Sequence, residues 1–152
     1  DNFNLASDTT YSYGNKNFAF QWKHTFNSRL LANFSAGYDK YDYSVKGENN
    51  KINAYKLNFA VAQLNVKSDF RYTLSSNHGL NFGFSTIRYK LHPGSFQPLG
   101  KESLVTPDAV SPEQALESAV YVSDKISISS NATFDAGLRY SMFNYLGAKQ
   151  VN

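Results

Sequence analysis

Cysteine is absent from this 152-residue chain, so no disulfide framework and no thiolate metal site can exist in it. No apolar run approaches the roughly 20 residues that a membrane-spanning helix needs, and mean hydropathy is −0.46. Strands are untouched by that exclusion, because an alternating strand hides its apolar face from a window average. Histidine is scarce: His24, His78 and His92 are scattered, and their spacing is that of no metal site, so no metal or cofactor is expected. Basic clusters are missing too. The net charge of +3 comes from dispersed Lys and Arg with Asp and Glu between them, which excludes nucleic acid as a partner. No Gly-rich phosphate loop or nucleophile elbow is present, so no enzyme activity is expected. Asp1 is neither a start Met nor part of a signal peptide, and the chain reads as processed or cut from something longer.

What the chain has is alternation. Ala132, Phe134, Ala136, Leu138, Tyr140 and Met142 alternate with Thr133, Asp135, Gly137, Arg139 and Ser141, a period of two with one apolar and one polar face. Upstream, Val120, Val122, Ile126 and Ile128 repeat the pattern. Ser129, Ser130 and Asn131 are turn formers, so the two segments make a hairpin.

The same texture fills the chain. Residues 1–16 are polar and read as a loop. Phe18, Phe20, Trp22 and Phe26 then share one parity, with His24 as the intruder; after Asn27 and Ser28, Leu30, Ala32, Phe34, Ala36 and Tyr38 continue it. Residues 46–51 read as a polar loop. In the next strand the apolar parity switches from Tyr55, Leu57, Phe59 and Val61 to Leu64, Val66, Phe70, Tyr72 and Leu74, which suggests a β-bulge near Val61. Residues 75–79 turn the chain into Leu80, Phe82 and Phe84. All four prolines fall between His92 and Pro112, so residues 92–112 read as a loop, with Ser111 placed to cap a helical turn over residues 112–116. Residues 147–152 trail off after the last strand.

The expected fold is therefore all-β, an antiparallel up-and-down meander of six strands in three hairpins. Tight turns near Asn27, Asn77 and Asn131 alternate with longer connections, the arrangement of an outer-membrane barrel. Apolar parity is kept across each tight turn, which calls for turns of three or five residues. A strand climbing about 2.3 Å per residue crosses a ~25 Å apolar band in about 11 residues. Counted from the turns, Tyr38 and Tyr140 fall at the top of that band and Tyr72 at the bottom. Lys40, Asp42, Arg88 and Lys90 fall at or beyond its upper edge, while His24 and Asp124 lie low.

These residues are similar to a known family. Residues 117–140 (ESAVYVSDKISISSNATFDAGLRY), residues 64–94 (LNVKSDFRYTLSSNHGLNFGFSTIRYKLHPG) and residues 20–43 resemble the barrel of TonB-dependent outer-membrane receptors, particularly those of Bacteroidetes. The resemblance covers nearly the whole chain and rests on strand and turn texture. It implies a 22-stranded barrel, plugged by an N-terminal domain, that imports a bulky nutrient such as a ferric chelate, a glycan or a corrinoid with energy relayed by TonB. The partners it implies are outer-membrane lipid, the remaining strands and plug of the same receptor, TonB through that plug, and the transported ligand. Plug and closing strand are missing from these residues, so residues 1–152 are expected to be a partial barrel domain of the bacterial outer membrane.

On that reading Lys67, Asp69, Arg71, Asp135 and Arg139 face the lumen, toward plug or substrate. Tyr41 and Tyr43, grouped with Tyr38 at the loop end, could stack on a ligand. Asp39 and Asp42 are a weaker candidate for an acid–base pair. The competing expectation is a soluble β-sandwich or adhesin-like binding module, with the apolar face buried against a second sheet.

Overall fold

The computed structural model describes residues 8–147. Six long strands, β1 (Thr9–Thr25), β2 (Leu30–Gly47), β3 (Tyr55–Thr73), β4 (His78–Pro98), β6 (Glu113–Ser129) and β7 (Ala132–Tyr145), form one antiparallel sheet in the order β1-β2-β3-β4-β6-β7. A two-residue strand, β5 (Asp108–Ala109), pairs with Ser95 and Phe96 of β4. Every long strand lies beside its neighbour in sequence, so the all-β meander is observed. The sheet does not close: β1 and β7 have no partner on their outer edges among the described residues.

Two hairpins have three-residue turns. Phe26 N–H donates to the Leu30 carbonyl at 3.0 Å, closing a turn over residues 27–29 in which Asn27 Oδ1 accepts from the N–H groups of Arg29 and Leu30 at 2.9 and 3.0 Å. Leu74 N–H donates likewise to the His78 carbonyl at 3.1 Å. The third hairpin has Ser129 opposite Ala132 and one extra residue, Ile128, bulged out of β6. All three carry the apolar parity unchanged from strand to strand, the first two through the expected odd turns and the third through a two-residue turn, Ser130 and Asn131, corrected by the Ile128 bulge.

The sheet is a single layer without a core. Only Ala32, Val45, Ala54 and Ala119 are buried apolar residues, and no large side chain is fully buried among the described residues. One face carries Phe18, Phe20, Trp22, Phe34, Phe70, Phe82, Val120 and Leu138, which register places on the same side. Its aromatics form a continuous ladder. Centroid separations are 5.4 Å for Trp22–Phe34, 5.8 Å for Phe34–Phe70 and 5.2 Å for Phe70–Phe82, each pair worth about 0.5–1.5 kcal/mol.

The hairpins are staggered. Leu30, which closes the first turn, pairs with Tyr72, two residues short of Leu74 in the second. His78 pairs with Ile126, and Ile126 with Phe134, which lies two residues beyond Ala132 in the third. Each hairpin thus slips about two residues against the last, one per strand. The ladder follows the same slant, since Trp22, Phe34, Phe70 and Phe82 each stand four residues from the closing pair of their own hairpin.

Several sequence expectations are corrected. Residues 9–16 are strand, paired throughout with β2, and residues 1–7 lie outside the described residues. β4 runs on through Pro98, and β6 begins at Glu113, so the irregular stretch shrinks to residues 99–107 and 110–112 and no helical turn forms at residues 112–116. What remains is tied down. Leu99 and Leu104 donate backbone N–H groups to the carbonyls of Ala54 and Ile52 at 2.9 and 2.8 Å, and Ser103 Oγ donates to Ala54 at 2.7 Å. Of residues 147–152, those from 148 onward lie outside the described residues.

A bulge does lie near Val61, but its extra residue is on β4 and not on β3. Asn58 pairs with Ser95 and Ala60 with His92, so Pro93 and Gly94 of β4 together oppose the single residue Phe59. Pro93 has no N–H for the ladder, and Gly94, at φ 154°, permits the bend while the Phe59 ring lies over it. β3 itself is regular against β2. Its apolar parity switches because Tyr55, Leu57, Phe59 and Val61 stand on the same face as Lys67, Asp69 and Arg71, and the two faces of the sheet exchange polarity along its height.

Candidate functional site

The polar face holds the candidate site. Lys67 Nζ lies 2.9 Å from Asp69 Oδ1. The Tyr121 hydroxyl, from β6, donates to the same carboxylate oxygen across the intervening strand β4. This reach depends on Gly83, the direct cross-strand partner of both residues: a Cβ there would come within 2.6 Å of Tyr121 Cζ. Tyr121 in turn gathers two cations over its ring, with Lys67 Nζ at 5.7 Å and Arg139 Cζ at 5.5 Å from the centroid. Each such contact is worth about 0.5–1 kcal/mol at an exposed site.

Around this node Arg71 Nε donates to Asn81 Oδ1 at 3.3 Å, and Arg139 donates to Ser141 Oγ and Ser85 Oγ at 3.2 and 3.4 Å. A groove of about 540 Å³ opens along Lys23, Asn33, Lys67, Asp69, Arg71 and Tyr121. The Lys67 and Asp69 side chains are 48 and 34% exposed, so their ion pair contributes at most about 1 kcal/mol and stays available to another partner.

Of the residues singled out from sequence, Lys67, Asp69 and Arg139 meet at Tyr121, and Arg71 flanks the same groove. Asp135 stands apart, opposite Lys125 in register but making no ion pair among the described residues. Tyr41 and Tyr43 share this face higher up, where Tyr43 lies 6.1 Å from Phe59 and lines a groove of about 510 Å³ with Tyr13, Gly94 and Val110. Tyr38 does not join them. Strand alternation puts it on the opposite face, opposite Phe18 and Leu64. Asp39 and Asp42 are separated by the same parity and cannot act as a pair: Asp39 accepts from Asn17 and Gln63, whereas Asp42 meets Lys40 Nζ at 2.8 Å on the other side.

Tyr121 is the functional candidate that sequence reasoning missed. Its parity, opposite to Val120 and Val122, marked it as an aromatic on the polar face; its partnership with Gly83 needed the register of β4 with β6. Asp124, an acidic residue on the apolar face near the turns, is partnered by His78, whose Nδ1 lies 3.0 Å from Asp124 Oδ2.

Among the described residues no three His, Asp or Glu side chains converge as a metal site. The arrangement offers a charged, hydrogen-bonding lower half and an aromatic upper half on one face, suited to a polar surface below and a planar or sugar-like ligand above. Comparison with protein-family models and with curated proteins returns no match to this chain.

Proposed function

We propose that this sheet is part of the wall of a transmembrane outer-membrane barrel of a TonB-dependent receptor, importing a bulky nutrient such as a ferric chelate, a glycan or a corrinoid. The observation that carries the barrel part of the reading is the slanted aromatic ladder, parallel to the line of hairpin ends. A stagger of one residue per strand means a climb of about 3.3 Å for each 4.8 Å step sideways; with the hairpin ends level, the strands tilt by about 35°. That lies within the range of closed membrane barrels. Upright in such a wall, this face is mostly apolar for about ten residues from each turn, roughly 25 Å, with His24, His78 and Asp124 near the turns and the small hydroxyl residues Ser68 and Thr86 within the band. Above that height Lys16, Lys40, Arg88 and Lys90 appear on it.

The free edges of β1 and β7 require further strands, because in lipid an unpaired backbone N–H or C=O costs several kcal/mol. The polar face then looks into the lumen, where Lys67, Asp69, Arg71 and Arg139 meet a plug through which TonB acts, and Tyr41 and Tyr43 stand on the side of the ligand. Transport, as opposed to catalysis, rests on the sequence resemblance.

Single cysteines at positions 134 and 135 of the intact protein in membranes test the wall. A water-soluble reagent should modify position 135 and a bilayer-dissolved one position 134; equal modification of both by the water-soluble reagent would overturn it. Deleting the gene and measuring growth on each nutrient class tests transport, and unimpaired growth on all three overturns that part alone.

A further inference from the structure

We infer that the turn end of the polar face carries a binding site for a phosphate group, in a groove of about 270 Å³ between Arg71 of β3 and Lys125 of β6. The groove exists because Gly79 of β4 stands between these strands. Register sets Thr73, Gly79 and Lys125 side by side in one row and Arg71 beside Asn81 in the next, all on one face. A Cβ at Gly79 would meet only the Lys125 carbonyl, at 3.9 Å, so the middle strand provides a floor without a side chain. This face is polar whether the sheet is a barrel wall or one layer of a sandwich, so the inference stands apart from the transport reading.

Hydrogen bonding decides the sign of the ligand. The acceptors around the groove are engaged. The His78 carbonyl accepts from the N–H groups of Leu74 and Ser75 at 3.1 and 3.4 Å, and the Asn77 carbonyl from that of Ser127 at 2.8 Å. Asn77 Oδ1 accepts from Ser76 Oγ at 3.1 Å, and Asn81 Oδ1 from Arg71 Nε at 3.3 Å. What remains to offer is donors: the terminal nitrogens of Arg71, the Lys125 ammonium, the Nδ2 groups of both asparagines, and the hydroxyls of Thr73 and Ser127. No carboxylate lines the groove, and neither cation makes an ion pair among the described residues. Asp135, the cross-strand partner of Lys125, stands on β7, on the far side of Lys125 from the groove. Asp124 belongs to the opposite face, where it meets His78.

Shape selects phosphate over carboxylate. Arg71 offers a flat fork and Lys125 a point charge from two strands away, with the Thr73 and Ser127 hydroxyls beside them, so the donors converge from several directions. A carboxylate holds two oxygens in one plane, whereas a phosphate monoester presents three acceptor oxygens about a tetrahedral centre.

The test titrates the intact protein in detergent with inorganic phosphate at low ionic strength, read by calorimetry and by phosphorus NMR line broadening. R71Q and K125Q should each weaken binding at least about fivefold, because each removes a charge-assisted hydrogen bond at an exposed site. G79V should weaken it as much while keeping both charges, since its side chain fills the floor. K101Q, which removes a cation in a distant loop, should bind like the wild type. Acetate should bind more weakly than phosphate. Glycerol 3-phosphate binding as tightly as phosphate supports the site and shows that it takes a phosphate ester; much weaker binding supports it as a site for free phosphate. Undiminished binding by G79V, or a loss in K101Q equal to that in R71Q, means an adventitious ion only and overturns the site. Acetate binding as tightly as phosphate overturns the choice of ligand.

Discussion

Replacing Phe34 with arginine probes the reading that one face of the sheet contacts hydrocarbon. Phe34 stands four residues above the closing pair of its hairpin, about 10 Å at a tilt near 35°, close to the middle of a ~25 Å band. An arginine at that depth costs about 2–4 kcal/mol. The stacked contact with Trp22 and the edge contact with Phe70 are lost as well, at about 0.5–1.5 kcal/mol each. Together these predict a loss of about 3–7 kcal/mol for Phe34→Arg, read from reversible urea unfolding of the intact protein out of phospholipid bilayers. Phe34→Ala supplies the ring-loss part separately. Two controls carry the discrimination. Leu64→Arg, ten residues above its closing pair and beside the cations, should cost about 0–1 kcal/mol, because water and headgroups reach that height. Asn33→Arg, one residue away on the opposite face, should fall within about 0.5 kcal/mol of the parent. In a sandwich the cost would follow burial against a second sheet and show no dependence on height. A Leu64→Arg cost equal to that of Phe34→Arg, or an Asn33→Arg cost as large, refutes the reasoning.

Other outcomes follow from particular contacts. Gly83→Ala should crowd both the Ser68 carbonyl and the Tyr121 ring, push the ring off Asp69 and destabilise by about 1–3 kcal/mol, with a shifted Tyr121 ring resonance as the local signature; an unchanged resonance would contradict the crossing geometry. Tyr121→Phe should cost at most about 1.5–3 kcal/mol through loss of its bond to the Asp69 carboxylate, measured by urea unfolding, and keep Arg139 in place, since that contact is with the ring. Protease added to intact cells should cut within residues 100–107 and spare residues 93–98, which are held in β4, and Ser103→Ala should speed the cut by removing the bond to Ala54; cleavage confined to the turns at Asn27, Asn77 and Asn131 would invert the topology. Residues 1–152 expressed alone should give no heat-modifiable monomer and no stable conductance, since two strand edges stay unpaired; a compact conducting monomer would make this a small barrel in its own right.

The sequence by itself determined the alternating part of the six long strands and the apolar parity kept across each turn, though not the strand at residues 9–16 or 93–98, because side-chain alternation is a local property of extended chain: Phe134 and Asp135 must point apart wherever the strand goes. It also marked Lys67, Asp69 and Arg139 as sharing a face. Pairing register is not local, and everything that depends on it waited for the tertiary structure. A parity switch along β3 reads equally as a bulge or as an exchange of polarity between faces, and only the unbroken pairing with β2 decides for the second. Prolines 93 and 98 look like loop residues until β4 is seen to absorb one at a bulge and the other at its end. The sequence also could not bring Tyr121 over Gly83 to Asp69, since residues 52 apart meet only when two neighbouring strands are laid in register and the side chain between them is missing.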